Sequence, residues 1–256
     1  PFAVLGWPDK NHPDYKNYYP TDLISSAREI RYLWIIRMIF SGLEFTNKSP
    51  FKSAYIHPTV LTKEGKRMSK SLGTGINPLD LIEKYGTDAL RFGLAFQTTG
   101  VQDMRFNEDV IDAGRKFANK IWNASRFVLM QIGESSEALA EEDGYELKLP
   151  SKLDTIDKEL VQELENLIKS TEENAKNFRF GQAANDLYHF FWNRFAAVYI
   201  EDAKTKIDEN KKKVLLWLLT NQLKLLHPFM PFITEEIWNK LPIKNKKMLI
   251  VEDWPK

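Results

Sequence analysis

Glu64-Gly65-Lys66-Arg67-Met68-Ser69-Lys70-Ser71-Leu72-Gly73-Thr74-Gly75 is the stretch on which the reading of this chain turns. Its three glycines supply the positive-φ conformations and low steric cost of a mobile loop. Between them stand three cations, Lys66, Arg67 and Lys70, and two serine hydroxyls, close enough in sequence to surround one polyanion. The stretch reads as a loop that grips phosphate. Composition by itself also allows a solvated basic turn, because charge runs at turns are usually surface decoration.

The residues before the loop give it a platform. Thr21-Asp22-Leu23-Ile24-Ser25 has the composition of a short buried strand. From Arg28 to Phe40 the apolar residues Ile30, Leu33, Trp34, Met38 and Ile39 fit one broad helical face, with Gly42 as the stop. Ser53 to Leu61 reads as a second strand with a break at Pro58. Strand, helix, strand predicts a parallel βαβ unit, and the basic loop leaves its second strand where open α/β sheets bind ligands, beside the carboxyl ends. Pro1 to Pro20, rich in proline and aromatics, is expected to be an irregular surface segment.

After the loop, Asn77-Pro78 is a helix start, an N-cap side chain followed by proline at the first helical position. Leu79, Ile82 and Tyr85 are expected to pack inward, Gly86 to take a left-handed end, and Thr87 to cap a second helix through Ala89, Leu90, Phe92 and Leu94. From Asn107 the pattern is helical throughout. Asp109 to Met130 carries Val110, Gly114, Phe117, Ala118, Ile121, Ser125 and Val128 on one face. The opposite surface presents Arg115, Lys116, Asn119, Lys120, Asn123 and Arg126 with no acid among them, a patch suited to RNA phosphates and base edges or to plain solvent. Glu134 to Pro150 is acidic and aperiodic, a linker. Helices follow over Leu153 to Asn174, Phe180 to Tyr199, Val214 to Leu226 and Pro231 to Leu241, and the aromatic stripe Phe180, Ala184, Leu187, Phe191, Phe195, Val198 reads as bundle core.

Composition narrows the classes. The chain has 256 residues, 43% hydrophobic and 28% charged, enough for two domains with their own cores. It has no cysteine and four scattered histidines, so no structural metal is expected. The longest apolar run, Leu33 to Phe40, is short and broken by Arg37, which argues against a membrane span; with no signal peptide this fits a cytoplasmic protein. A formal net charge of +1 gives no global attraction to nucleic acid, so any RNA contact must come from local clustering. Pro1 enters without a methionine, and a piece of a longer protein is expected.

The order of residues adds a resemblance. Arg67-Met68-Ser69-Lys70-Ser71 resembles the Lys-Met-Ser-Lys-Ser signature of class I aminoacyl-tRNA synthetases, with arginine in place of the first lysine. Pro78 to Phe92 resembles the continuation found in the members for valine, isoleucine and leucine, and His227-Pro228-Phe229-Met230-Pro231-Phe232-Ile233-Thr234-Glu235-Glu236-Ile237-Trp238 is similar to a motif all three share. Pro1 to Pro8 and Lys116 to Val128 resemble the valine members best.

The resemblance implies a predominantly α chain: the end portion of a Rossmann-like α/β domain over 1–62, the signature loop and linker helices over 63–106, and an antiparallel, anticodon-binding helical bundle over 107–256. It implies ligation of valine to its tRNA through valyl-adenylate, consuming ATP with Mg²⁺, in a monomer. Lys70, assisted by Arg67, is then the catalytic grip on the triphosphate; Arg67, Met68, Ser69, Lys70 and Ser71 line the ATP site. Glu29, in Ala27-Arg28-Glu29, takes the place of the acid that binds the adenylate ribose, although the family's preceding glycine is absent. Arg115, Lys116, Asn119, Lys120, Asn123 and Arg126 become the tRNA face. No His-Ile-Gly-His motif occurs, so the other half of the ATP site is missing and the chain is expected to be inactive alone. The alternatives are an isoleucine or leucine member, or a free-standing helical RNA-binding module.

Overall fold

The strand, helix, strand pattern ahead of the basic loop forms as read. In the computed structural model, which describes residues 1–69, 73–98, 100, 102–133 and 145–255, β1 (Thr21–Ala27) and β2 (Phe51–His57) pair in parallel. Thr21 lies opposite Phe51 and Ala27 opposite His57. A short helix α1 (Pro13–Tyr18) precedes them. The link from β1 starts as a 3₁₀ turn (Arg28–Ile30), widens to a π turn (Arg31–Ile35) and continues as α2 (Ile36–Thr46). Changing pitch moves the phase of the apolar stripe, so the face expected at a uniform 3.6 residues per turn does not hold. Ile35 is buried instead, and Ile30, Leu33 and Trp34 are exposed. Gly42 is no stop: it lies inside α2, buried where a Cβ would sit 3.0 Å from the Lys48 carbonyl and the Tyr19 hydroxyl. The helix ends at Asn47, which takes φ 54°.

The break at Pro58 divides the expected second strand in two. Beyond it β3 (Val60–Leu61) pairs in parallel with β4 (Met104–Arg105). Residues Pro1–Ser69 and Thr99–Phe106 form one compact unit; Lys70–Thr98 and Asn107–Lys256 form the second.

The second unit is helical, and the molecule is mostly helical with small parallel sheets. Its first helix, α3 (Pro78–Tyr85), starts at Asn77, whose side chain accepts the Leu79 N–H at 3.2 Å. Gly86 takes the positive φ expected of it, 91°, but with ψ 152° outside the left-handed helical region, and it directly precedes α4 (Thr87–Phe96), so Thr87 is a helical residue and not the cap. Leu81 is the buried residue of α3, and Leu79 is exposed.

α5 (Glu108–Gly133) packs against α4 through its glycine: a Cβ at Gly114 would stand 2.7 Å from the Ala89 carbonyl oxygen. Its buried face is Ile111, Gly114, Phe117, Ile121, Ala124, Ser125, Val128 and Ile132; the phase is one residue from that expected at Val110. α6 (Thr155–Lys176) begins with a reciprocal cap between Asp154 and Asp157. α7 (Phe180–His189) runs without a break through a π-wound stretch (Phe190–Tyr199) into α8 (Ile200–Thr205). The π winding carries the aromatic stripe from Phe191 and Phe195 to Tyr199, fully buried, where uniform α pitch pointed to Val198. α9 (Glu209–Leu226) is capped by Asp208, and α10 (Pro231–Lys240) closes the order. Phe117, Leu164, Phe191, Phe195, Leu215 and Trp238 meet in one core, with Trp217 half-buried against it. Each such side chain contributes about 1.5–3 kcal/mol through burial. No helix among the described residues is long and apolar enough to cross a membrane.

Candidate functional site

At the carboxyl edge of the parallel pair the chain folds the basic segment into a tight hairpin. Leu61 bridges Arg67 in antiparallel fashion; the Thr62 N–H donates to the Lys66 carbonyl at 2.7 Å, and the Gly65 N–H donates to the Thr62 carbonyl at 2.9 Å. Gly65 sits at φ +82° against the Arg105 guanidinium, which an added Cβ would meet at 3.2 Å, so the turn needs glycine for conformation and for space. The Thr62 hydroxyl accepts the Lys66 N–H at 3.2 Å. Glu64, the acid of the segment, is fully exposed and held below the usual carboxylate range, first by its own backbone N–H and then by the Thr62 hydroxyl. Lys66 and Arg67 point into solvent, and Met68 and Ser69 are half-buried. Lys70 and Ser71 lie outside the described residues.

Glu29 stands in the first turn after β1, on the same edge of the sheet. Its Oε1 accepts a hydrogen bond from the Thr59 hydroxyl at 3.3 Å, and the Thr59 N–H donates to Asp103 Oδ1 at 3.1 Å. The Arg28 guanidinium approaches the same Asp103 oxygen at 3.6 Å. Thr59 also offers its carbonyl to the Met104 N–H at 3.0 Å, one rung of the β3–β4 ladder. Glu29 and the hairpin are therefore joined through one residue. Sequence reading missed Thr59, Asp103 and Arg105, whose only signal was position: Thr59 directly follows the strand break at Pro58.

In the helical unit, Arg115, Lys116, Asn119, Asn123 and Arg126 are all exposed along α5, and Lys120 is half-covered with its ammonium 5.5 Å from the Trp192 ring centre. No acid stands among these six residues, but one borders them. Asp112, one turn earlier, binds Arg115 at 2.7 Å and Lys116 at 2.8 Å, which holds the Asp112 carboxyl below its ordinary range. Glu108 takes Lys84 at 2.8 Å beside it. Asp112 thus offsets one of the two charges at the start of the face, and the cationic Arg126 stands exposed at its other end.

Two further clusters support this unit. Asp88 of α4 is buried and accepts the Phe232 and Ile233 N–H groups at 3.2 and 2.6 Å, capping α10 from another helix. Burial nonetheless raises its pKa above the usual aspartate value. Arg91 donates to the Pro228 carbonyl at 2.9 Å. The Thr234 hydroxyl donates to the Met230 carbonyl at 2.8 Å, so His227 Nδ1, 2.8 Å away, carries the proton toward it. Burial lowers the His227 pKa. The second cluster centres on Lys211, whose buried ammonium binds Asp157 at 2.7 Å, Asp154 at 3.0 Å and Asp202 at 3.2 Å. Burial opposes the charge, but the three hydrogen bonds outweigh it and hold the ammonium pKa above the ordinary lysine value. The Tyr199 hydroxyl donates to Asp157 at 2.6 Å.

Residues 1–107 match the model of tRNA synthetases class I (I, L, M and V), and residues 157–256 match that of the anticodon-binding domain of tRNA ligase. The whole chain is 44% identical over 262 residues to a valine–tRNA ligase of Geobacillus stearothermophilus and 42% identical over 259 residues to one of Fervidobacterium nodosum. It spans 29% of the length of each. Among solved structures it resembles a LeuRS–tRNA–LeuAMS ternary complex from Agrobacterium radiobacter, with a TM-score of 0.73 and 21% identity over 92% of this chain and 28% of that one. A Mycobacterium tuberculosis methionyl-tRNA synthetase in complex with methionyl-adenylate gives 0.70 and 19% over 93% of this chain and 47% of that one. At these identities the two likenesses show the fold.

Proposed function

We propose, from the premise that this chain belongs to the class I tRNA synthetases, that it forms part of a valine–tRNA ligase and supplies that enzyme's triphosphate grip and anticodon-binding helices. The observation that supports the reading is the placement of Glu29 and the Leu61–Arg67 hairpin together on the carboxyl edge of a parallel sheet, tied through Thr59. A nucleotide lying along that edge meets an acid for its ribose hydroxyls at one end and cations for its phosphates at the other.

In this reading a valine carboxylate oxygen attacks the α-phosphorus of ATP, the bond to the bridging oxygen breaks, and pyrophosphate leaves. Negative charge grows on the leaving group. Lys70 meets it as a compact point charge and Arg67 as a planar fork, with Ser69 and Ser71 donating hydrogen bonds and Met68 anchoring the segment. Mg²⁺ travels with the triphosphate; no group of three His, Asp or Glu suited to a resident metal occurs among the described residues. The α5 face docks the tRNA, most strongly at its cationic end, and the long helices of the second unit run as an antiparallel bundle. Residues 1–62 complete a Rossmann-like domain and 63–106 link it to the tRNA-binding part. A cytoplasmic monomer is the assembly this implies.

The test is amino-acid-dependent exchange of labelled pyrophosphate into ATP by the longer polypeptide that contains this chain. Exchange driven by valine is expected. Equal or greater exchange with isoleucine or leucine would assign the chain to one of those enzymes, and its complete absence would favour a helical RNA-binding module.

A further inference from the structure

The exposed position of Glu29 poses a problem for any role in binding a sugar. A glutamate on a surface turn samples several rotamers, and one that must accept from a ribose hydroxyl has to be held in place. The 3₁₀ turn at Arg28–Ile30 fixes its backbone but not its side chain. Among the described residues one side chain reaches the carboxylate: the hydroxyl of Thr59, at 3.3 Å from Oε1, thirty positions along the chain. Among the described residues none binds Oε2.

Thr59 is itself immobilised from two sides. Its carbonyl accepts the Met104 N–H at 3.0 Å, and its N–H donates to Asp103 Oδ1 at 3.1 Å, so residues 103 and 104 of one strand end grip both polar groups of its backbone. Asp103 is in turn approached by Arg28, the neighbour of Glu29, at 3.6 Å. The ring closes from Glu29 through Thr59 and Asp103 to Arg28 and back along one peptide bond. Two residues further on, Leu61 starts the hairpin that carries Arg67.

We infer that Thr59, locked by Asp103, is a positioning residue that orients the Glu29 carboxylate for the ribose hydroxyls of a bound nucleotide and fixes its distance from the phosphate-gripping loop. The inference rests on the function proposed above. Removing the hydroxyl while keeping the shape, in Thr59→Val, leaves Glu29 free to rotate; Thr59→Ser keeps the donor.

The experiment measures valine-dependent pyrophosphate exchange by the longer polypeptide with ATP, 2′-deoxy-ATP and 3′-deoxy-ATP. Thr59→Val is expected to raise KM for ATP about three- to tenfold, the scale of one hydrogen bond, with kcat nearly unchanged. Thr59→Ser should restore it. The penalty should vanish with the deoxynucleotide that lacks the hydroxyl Glu29 accepts from, because there the positioned contact no longer exists; a variant that merely loosens the fold would weaken all three nucleotides alike. An unchanged KM, or an equal rise for ATP and both analogues, would overturn the inference. Glu29→Ala separates the two levels of failure. If it discriminates between ATP and an analogue while Thr59→Val does not, the positioning role alone is wrong. If neither discriminates, the ribose role of Glu29 falls, and the positioning role with it.

Discussion

The two compact units hold their key side chains in place by different means. In the helical unit the aromatic residues face one another: Phe191 and Phe195 are 0% exposed and Trp238 1%, within a core that every long helix joins. In the sheet unit the aromatic residues of the link and α2 face outward, Trp34 at 57% exposed and Phe40 at 70%. That unit fixes Glu29 and the hairpin with hydrogen bonds at the ends of short strands, not with packing. Packing determines position by volume and tolerates best the changes that conserve it; a chain of polar ties at a surface depends on single donor and acceptor atoms. The helical unit is thus held by volume, and the exposed edge of the sheet unit by individual polar ties.

The most direct way to break this comparison is to make one substitution in both units. Phe191→Ala in the 256-residue chain should lower stability by roughly 3–5 kcal/mol, the range for truncating a buried aromatic. Phe40→Ala should stay within about 0.5 kcal/mol, as surface changes do. Urea midpoints read both, and similar losses would mean that the face of α2 is packed after all. Lys211→Met belongs with the first: it strands Asp157 and Tyr199 in a buried site, and breaking such a pair costs about 3–5 kcal/mol.

Next in size is Lys70. Lys70→Ala in the longer polypeptide should slow valine-dependent pyrophosphate exchange by roughly 10²–10³-fold, with Lys70→Arg rescuing partly because the planar guanidinium does not occupy the same point. Exchange at the wild-type rate would make it a surface cation. A smaller effect is expected from pH. Burial lowers the His227 pKa from 6.5, so as pH falls the unfolded chain binds that proton before the folded chain does, and stability is lost on acidification below about 6.5. His227→Gln should flatten that part of the stability profile. Asp88 has its pKa raised, so in the acid range it acts oppositely and favours the folded state as it protonates, which makes the His227 variant the cleaner probe.

The smallest effect sharpens the α5 face. Arg126→Ala should weaken binding of valine tRNA and remove about one unit from the logarithmic salt slope, as one lost phosphate contact does. Arg115→Ala should do less, because Asp112 already engages that guanidinium. Equal losses would show that the Asp112 pair opens when RNA arrives.

Much of this was legible in the residues. The parallel βαβ order, the Asn77-Pro78 helix start and nearly every long helix follow from local signals: alternation, apolar stripes, caps and breakers act within a few positions and leave a linear trace. At Ile35 and Tyr199 the cause of the slip was pitch. One stripe drawn at 3.6 residues per turn misplaced Ile35 behind a π turn and stopped at Val198 when π winding carried the core to Tyr199.

The residues themselves carried the parallel βαβ order and most of the long helices, since both depend on neighbours in the chain. Only the tertiary structure decided which distant groups complete one another. Asp88 caps a helix that begins at Pro231, Lys211 gathers Asp154 and Asp157 from the start of α6 and Asp202 from α8, and Thr59 joins Glu29 to Asp103. Each is a polar group whose partner is set by folding rather than by spacing. A buried or strained hydrogen-bonding group must find some partner, but its own neighbourhood in the sequence does not say which.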